Sequence, residues 1–260
     1  MAAPKLVSIV TGARVGICKS LTETLVNQGH TVIAVSRNIS ENDFSETLRS
    51  NIRTVKADMS KPEAALETIK GSLKEGEKIK YLVNGAAALE PVKPITEITP
   101  QDFTDALVLN VVSPAHLTTG LKEYYGEGAR VLMIGSGMAW LSFPKFNTYA
   151  TTKAALYRTT RGLNTELANV LVGWATPGCC WTEMYESFLL GSGMTKEGAA
   201  KVREEAFEPE GPAAFFAYVL SDKVSAEDFT TGDWDIYETS HREHWVTEGM
   251  KAPLAVPKFQ

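Results

Sequence analysis

The sequence predicts an α/β fold, a doubly wound parallel sheet of about seven strands with helices on both faces. Three observations carry that prediction. Short apolar runs rich in Val, Ile and Leu alternate with longer stretches of helical periodicity, the pattern of β-α-β units. A glycine-containing turn stands between the first apolar run and the first helical stretch. At 260 residues and 44% hydrophobic content, the chain is long enough to bury one substantial core.

Taken in order, the first strand is predicted at 6–10, leading into the glycine turn, and the first helix at 17–27. The second and third strands are 31–36 and 52–55, and a helix follows at 62–73. The fourth strand, 81–83, precedes a long helix at 100–124; the fifth, 131–134, precedes a helix at 149–167. The sixth strand is 170–175, then come a helix at 209–220 and a seventh strand at 233–237. Residues 183–207 break the alternation and read as a helical lid insertion around Gly191, Ser192 and Gly193. One domain is expected over 1–250. The tail, 251–260, carries Pro253 and Pro257 and is read either as partly disordered or as crossing to a partner subunit.

Composition excludes several function classes. With 26 Lys and Arg against 31 Asp and Glu, the net charge of -5 leaves no basic excess to neutralise a phosphate backbone, so nucleic acid is not an expected partner. The apolar run at 6–10 is too short for a signal peptide, and no apolar stretch approaches the roughly 20 residues that cross a bilayer, so a cytoplasmic protein without a membrane partner is expected. Cys18, Cys179 and Cys180 are odd in number and two are adjacent, which fits reduced thiols. His241 and His244 lack a third ligand nearby and read as surface histidines; His30 and His116 are isolated, so no metal is expected.

The turn after the first strand reads Thr11, Gly12, Ala13, Arg14, Val15, Gly16, Ile17, Cys18. Between a strand and a helix, such a turn brings backbone N–H groups and the positive end of the helix dipole against a pyrophosphate. The second strand ends in Ser36 and Arg37, where a carboxylate would select a ribose 2′-hydroxyl; a guanidinium beside a hydroxyl selects a 2′-phosphate, which points to NADP(H). Arg14 adds a second positive group.

The chain here resembles the classical short-chain dehydrogenase/reductase family, a Rossmann-type fold whose fingerprint is Thr-Gly-x-x-x-Gly-x-Gly. Cys18 replaces the last glycine, which implies slightly looser packing of helix on strand or a small shift of the helix. By the same resemblance, Asp58, with Met59 beside it, meets the adenine, a helix-capping role for Asp58 being the alternative. Asn84, Gly85, Ala86, Ala87 match the family's Asn-Asn-Ala-Gly in part, with Asn84 mainly structural and Ala86 a cofactor contact. Pro177, Gly178 and Thr182, with Met184 beyond, match a motif that lines the nicotinamide.

Ser136 ends the fifth strand, and Tyr149 opens a helix with Lys153 four residues on, one face of a helix bringing phenol and ammonium together. Of the eight tyrosines, only Tyr149 has a lysine at that offset. A phenol near an ammonium is expected to titrate closer to working pH and to give its proton to a carbonyl oxygen while hydride reaches carbon. In the family the lysine also bonds the nicotinamide ribose and the serine steadies the substrate oxygen. An asparagine in the preceding helix, here Asn110, holds a water on the proton path; a buried helix asparagine that satisfies a backbone group is the plain alternative.

Met138, Trp140, Phe143, Trp181, Phe188 and Leu189 are expected around the mouth of the site, where an aromatic or otherwise bulky hydrophobic ketone would suit them. Residues 89–93 and Gly135, Ser136, Gly137 resemble the sepiapterin reductase and benzil reductase branch. The expected function is NADPH-dependent reduction of a ketone or diketone, in a homodimer or homotetramer built on the two long helices. Two alternatives stand: a reductase of pterins or secondary metabolites, and a catalytically retired NADP-sensing or scaffold protein.

Overall fold

Successive strand side chains point to opposite faces, and here both faces are apolar. Val7 and Ile9 of β1 (Lys5–Thr11) enter one core layer and Val10 the other; Ile33 and Val35 of β2 (Thr31–Ser36) oppose Val32 and Ala34 in the same way. The computed structural model, which describes residues 4–257, accordingly shows an all-parallel sheet of seven strands in the order β3-β2-β1-β4-β5-β6-β7. The others are β3 (Ile52–Lys56), β4 (Glu77–Asn84), β5 (Tyr125–Ile134), β6 (Leu171–Thr176) and β7 (Asp233–Asp235). This is the doubly wound arrangement the sequence predicts.

One face is covered by α1 (Gly16–Asn27) and α8 (Glu210–Leu220), which bury Leu21, Leu25, Phe215 and Phe216. The other is covered by α2 (Pro62–Ser72), α4 (Ser113–Gly120) and α5 (Asn147–Glu166), which bury Leu66, Leu117 and Leu156. Because β1 pairs with both β2 and β4, the strand order reverses there, and a crevice opens beyond the carboxyl ends of β1 and β4.

Several boundaries differ from prediction for physical reasons. Strands β4 and β5 begin well before 81 and 131: Lys5 pairs with Glu77 and Leu6 with Lys78, and the Arg53 guanidinium holds the Glu77 carboxylate at 2.9 and 3.0 Å, so charged residues enter the sheet that no apolar run marks. The helix predicted at 100–124 is interrupted. After α3 (Pro100–Leu107) comes a π-helical turn, Val108–Val112, then α4 ends at Gly120. Pro114 has no N–H to give the carbonyl four residues back, at Asn110, which relaxes the helix there. Helix α9 (Ala226–Thr231), capped by Ser225, was not predicted, and β7 stops short of 237.

Two short helices, α6 (Glu183–Gly191) and α7 (Lys196–Glu205), occupy the 183–207 insertion. The tail is held to its own chain over its described part: the Arg242 guanidinium donates to the carbonyls of Pro253, at 3.1 Å, and Ala252. Residues 258–260 lie outside the described residues. His241 corrects the surface reading. It is 4% exposed, its Nε2 faces the Asp235 carbonyl at 3.0 Å, and its Nδ1 accepts from the Trp245 indole at 2.9 Å, so it is a satisfied core histidine. Among the described residues no helix is long and apolar enough to cross a membrane, and no three His, Cys, Asp or Glu side chains are grouped to hold a metal.

Candidate active site

The turn after β1 is fastened to the turn after β4 by one hydroxyl. Thr11 Oγ1 accepts from the backbone N–H groups of Gly85, at 3.0 Å, and Ala86, at 3.1 Å, and donates to the Val83 carbonyl. Gly12 has a φ of +75°, and a Cβ there would stand 3.0 Å from the Ala86 nitrogen and the Gly85 oxygen, so the two loops approach this closely only over a glycine. Helix α1 begins at Gly16 with no side-chain cap and no acidic residue in its first turn, leaving its N-terminal dipole directed at the crevice without a competing carboxylate.

The loosened packing expected at Cys18 does not occur. A Cβ on Gly85 would lie 2.1 Å from Cys18 Sγ, so the missing side chain at 85 is the space the thiol fills. The two departures from the family fingerprint compensate each other. Burial pushes the Cys18 thiol up to about 12, the charge of Lys153 opposing the shift, so it stays protonated at neutral pH.

The crevice has a volume of about 650 Å³ and is lined by Gly12, Arg14, Val15, Gly16, Ile17, Ser36, Arg37, Asp58, Met59, Gly85 and Ala86, and farther along by Tyr149, Lys153, Pro177, Thr182 and Met184. Two residues named with it from sequence do not line it, and one of them, Asn84, is the position already read as mainly structural. Asn84 is buried behind it, donating to Thr118 Oγ1 at 3.2 Å; as the last residue of β4 its side chain points into the α4 layer. Gly178 lines the neighbouring pocket instead, in a left-handed conformation with φ of +67°. Asp58 accepts from the Ser60 backbone and hydroxyl at 3.0 and 2.8 Å within the turn before α2, whose N-cap, Lys61, has no side-chain cap bond; the capping alternative is not realised, and Asp58 borders the crevice.

Ser136, Tyr149 and Lys153 converge where the crevice meets a second pocket. Tyr149 is 7% exposed, and Lys153 Nζ stands 5.6 Å from its ring centre while donating to the Ile134 carbonyl at 2.9 Å. The expected lowering of the phenol is not found. Burial raises Tyr149 to about 12, the Ser136 hydroxyl opposing, while burial lowers Lys153 to about 8, Cys18 opposing. Desolvation disfavours the charged form of each group and outweighs the opposing influence of Ser136 on the one and Cys18 on the other. Asn110 reaches neither cavity with its side chain. Its Oδ1 accepts from Ala88 N at 3.0 Å, and its Nδ2 donates to the Ala88 carbonyl at 2.9 Å and to Thr152 Oγ1 at 3.1 Å. The side chain is thereby fully used in tying the loop after β4 to α5, which is the backbone-satisfying alternative.

The second pocket, about 280 Å³, is lined by Ser136 and Tyr149 together with Leu89, Met138, Leu141, Phe143, Phe188 and Val256. Three residues expected here lie elsewhere. Trp140 is 57% exposed and packs edge-on against Tyr157 and Trp174, on the α5 side of the sheet. Trp181 lines the crevice, with the Arg203 guanidinium over its ring. Leu189 of α6 is fully buried in one apolar cluster with Leu89, Met138, Tyr149 and Phe188 and does not itself line the pocket. In turn Leu141, Tyr185, Tyr237 and Val256 join the pocket unannounced, since each comes from a different segment and no local pattern unites them.

These features agree with comparisons to known proteins. The family model for short chain dehydrogenases matches residues 6–191, most of the chain, and this protein belongs to that family. An uncharacterized oxidoreductase, YvrD, of Bacillus subtilis is 30% identical over 191 residues, 71% of this chain and 72% of the relative. A benzil reductase ((S)-benzoin forming) of Bacillus cereus is 28% identical over 167 residues, 61% of this chain and 67% of the relative. A short chain dehydrogenase family protein from Francisella tularensis superposes with a TM-score of 0.74 at 26% identity, over 90% of this chain and 97% of that one. The chain is therefore an oxidoreductase of a family that uses nicotinamide cofactors and acts on small molecules.

Proposed function

We propose that this protein is an NADPH-dependent carbonyl reductase that converts a ketone or diketone of a bulky hydrophobic or aromatic substrate to an alcohol. The observation that carries the reading is the position of Tyr149, which lines both the crevice and the apolar pocket, so that one side chain borders the space for the cofactor and the space for the substrate. The crevice fits a dinucleotide: its glycine turn admits no Cβ at Gly12, and α1 presents an uncapped N-terminus. Backbone groups from Gly12 to Ile17 would hold the pyrophosphate, Arg14, Ser36 and Arg37 the 2′-phosphate, Asp58, Met59 and Ala86 the adenosine, and Pro177, Thr182 and Met184 the nicotinamide. Bound there, the cofactor supplies hydride.

The chain's own residues manage the proton. With its phenol raised to about 12, Tyr149 is neutral at pH 7 and carries the proton that the carbonyl oxygen takes up. Lys153, at about 8, is still charged and stabilises the phenolate as it forms, besides reaching the ribose. Ser136 orients the substrate oxygen, and Asn110 positions α5 through Thr152 rather than touching a reactant. The apolar lining from Leu89, Met138, Phe143 and Phe188 favours an aryl substrate, in keeping with the reaction named for the Bacillus cereus relative. A cytoplasmic homodimer or homotetramer completes the reading: the three cysteines are free thiols, and Val112 and Trp140, 47% and 57% exposed, offer apolar surface beside α4 and α5.

The test is a panel of aryl ketones and diketones followed at the nicotinamide absorbance with NADPH. Tyr149→Phe removes one hydroxyl, so turnover is expected to fall by at least ~100-fold while the melting temperature holds. Retention of most activity would reject Tyr149 as the proton donor.

A further inference from the structure

We infer that residues 251–257 form the outer wall of the substrate pocket and that Val256 sets the size of carbonyl compound the pocket accepts. The inference rests on the reductase reading above and adds the residue that selects within it. Val256 lines the same pocket as Ser136 and Tyr149 although about half of its surface meets solvent, so one side of it closes the cavity and the other is the outside of the molecule. The chain before it, Leu254 and Ala255, is exposed, and Pro257 after it is buried; the segment thus crosses open solvent and comes down on the pocket at that one valine. A β-branched side chain has few rotamers and cannot fold aside, as a wall requires.

The segment is held by two cations acting on carbonyl oxygens. Arg242, in the short turn Thr239–His244, donates to the Ile236 carbonyl at 3.3 Å, to Pro253 at 3.1 Å and to Ala252, with its guanidinium 5.4 Å over the Trp245 ring. Lys251 Nζ donates to the Arg203 carbonyl at 2.6 Å, in the last turn of α7. One guanidinium therefore ties the segment to the residue just after β7, and one ammonium ties it to the helices at 183–205. A planar donor reaching three carbonyls fixes direction as well as distance, which a single point charge does not. Arg242 is on this account a positioning residue for Val256.

The experiment measures kcat and KM at saturating NADPH for diacetyl, methyl phenyl diketone and benzil, which present the same dicarbonyl with increasing bulk. A pocket residue of altered size is worth roughly 10-fold or more in discrimination, so Val256→Trp is expected to lower the benzil to diacetyl ratio of kcat/KM at least that far. Val256→Ala is expected to shift the ratio the other way. Arg242→Ala, which frees the segment, is expected to raise KM for benzil more than it lowers kcat. The Kd for NADPH, read by fluorescence, is expected to stay at the wild-type value in both Val256 variants, because Val256 does not border the crevice. An active wild type whose ratio is unmoved by both Val256 substitutions overturns this inference alone. A wild type inert toward all three compounds overturns the reductase reading, and the inference with it.

Discussion

Arg37 borders the crevice at the end of β2 with Ser36 and Arg14 near it, and Arg14 is itself 3.9 Å from the Asp43 carboxylate. A cation half-engaged by a carboxylate attracts a phosphate less, so Arg37 is expected to carry the larger part of any 2′-phosphate recognition. Arg37→Ala is expected to weaken NADPH by at least ~10-fold more than NADH, since a charge-assisted bond to phosphate is worth ~1.5–3 kcal/mol. Equal losses for the two cofactors, measured by fluorescence titration, would exclude that role. Lys153 gives a second test at this scale. Its folded value, about 8, lies below its ordinary 10.5, so the ammonium is lost as pH rises through about 8. The kcat/KM for NADPH, which reports the free enzyme, is expected to fall across that point. Stability moves oppositely: between about 8 and 10.5 the unfolded chain holds a proton the folded chain has released, so this group favours folding more as pH rises there. A flat profile from pH 7 to 9 would contradict the assignment.

Elements meet at this site through small residues in matched places. The thiol of Cys18 on α1 occupies the volume that a side chain at Gly85, after β4, would take, and the Trp174 ring of β6 fills the corresponding space at Gly135, where a Cβ would stand 2.4 Å from it. Gly85→Ala is therefore expected to destabilise by ~1–3 kcal/mol through overpacking. Adding Cys18→Gly is expected to recover most of that loss in a double-mutant cycle of chemical denaturation. Additive losses would mean the two positions are not in contact. The π-helical turn at Val108–Val112 has a comparable local origin, in Pro114, and places Asn110 where both its amide groups reach the loop after β4 and α5.

Over the whole molecule, the crevice is a junction of parts distant in sequence, from Gly12 to Pro209, and ligand binding there should be felt by the entire fold. NADPH at 100 times its Kd is expected to stabilise the protein by ~2.7 kcal/mol, visible as a rise in melting temperature, and NADH at the same concentration by less. Identical shifts with the two would count against the NADPH assignment. How much of this was legible beforehand follows from range. Element type and turn chemistry depend on neighbours within a few residues, so the strands and helices, the glycine turn and the Ser136, Tyr149, Lys153 spacing can be read along the chain. That Trp140 is exposed and Leu189 buried depends on packing partners remote in sequence, and local pattern carries no record of them.

Apolar periodicity by itself determined the α/β architecture, set by local backbone preference and alternation of side chains, while the glycine turn and the Ser136, Tyr149, Lys153 spacing pointed to the site through the family they resemble. Tertiary structure alone decided that Cys18 and Gly85 share one space, that Asn110 is spent on Ala88 and Thr152, that His241 is buried and that Val256 lines the pocket. Each of these is a contact between segments far apart along the chain, and volume exclusion, hydrogen-bond satisfaction and desolvation act on what is near in space.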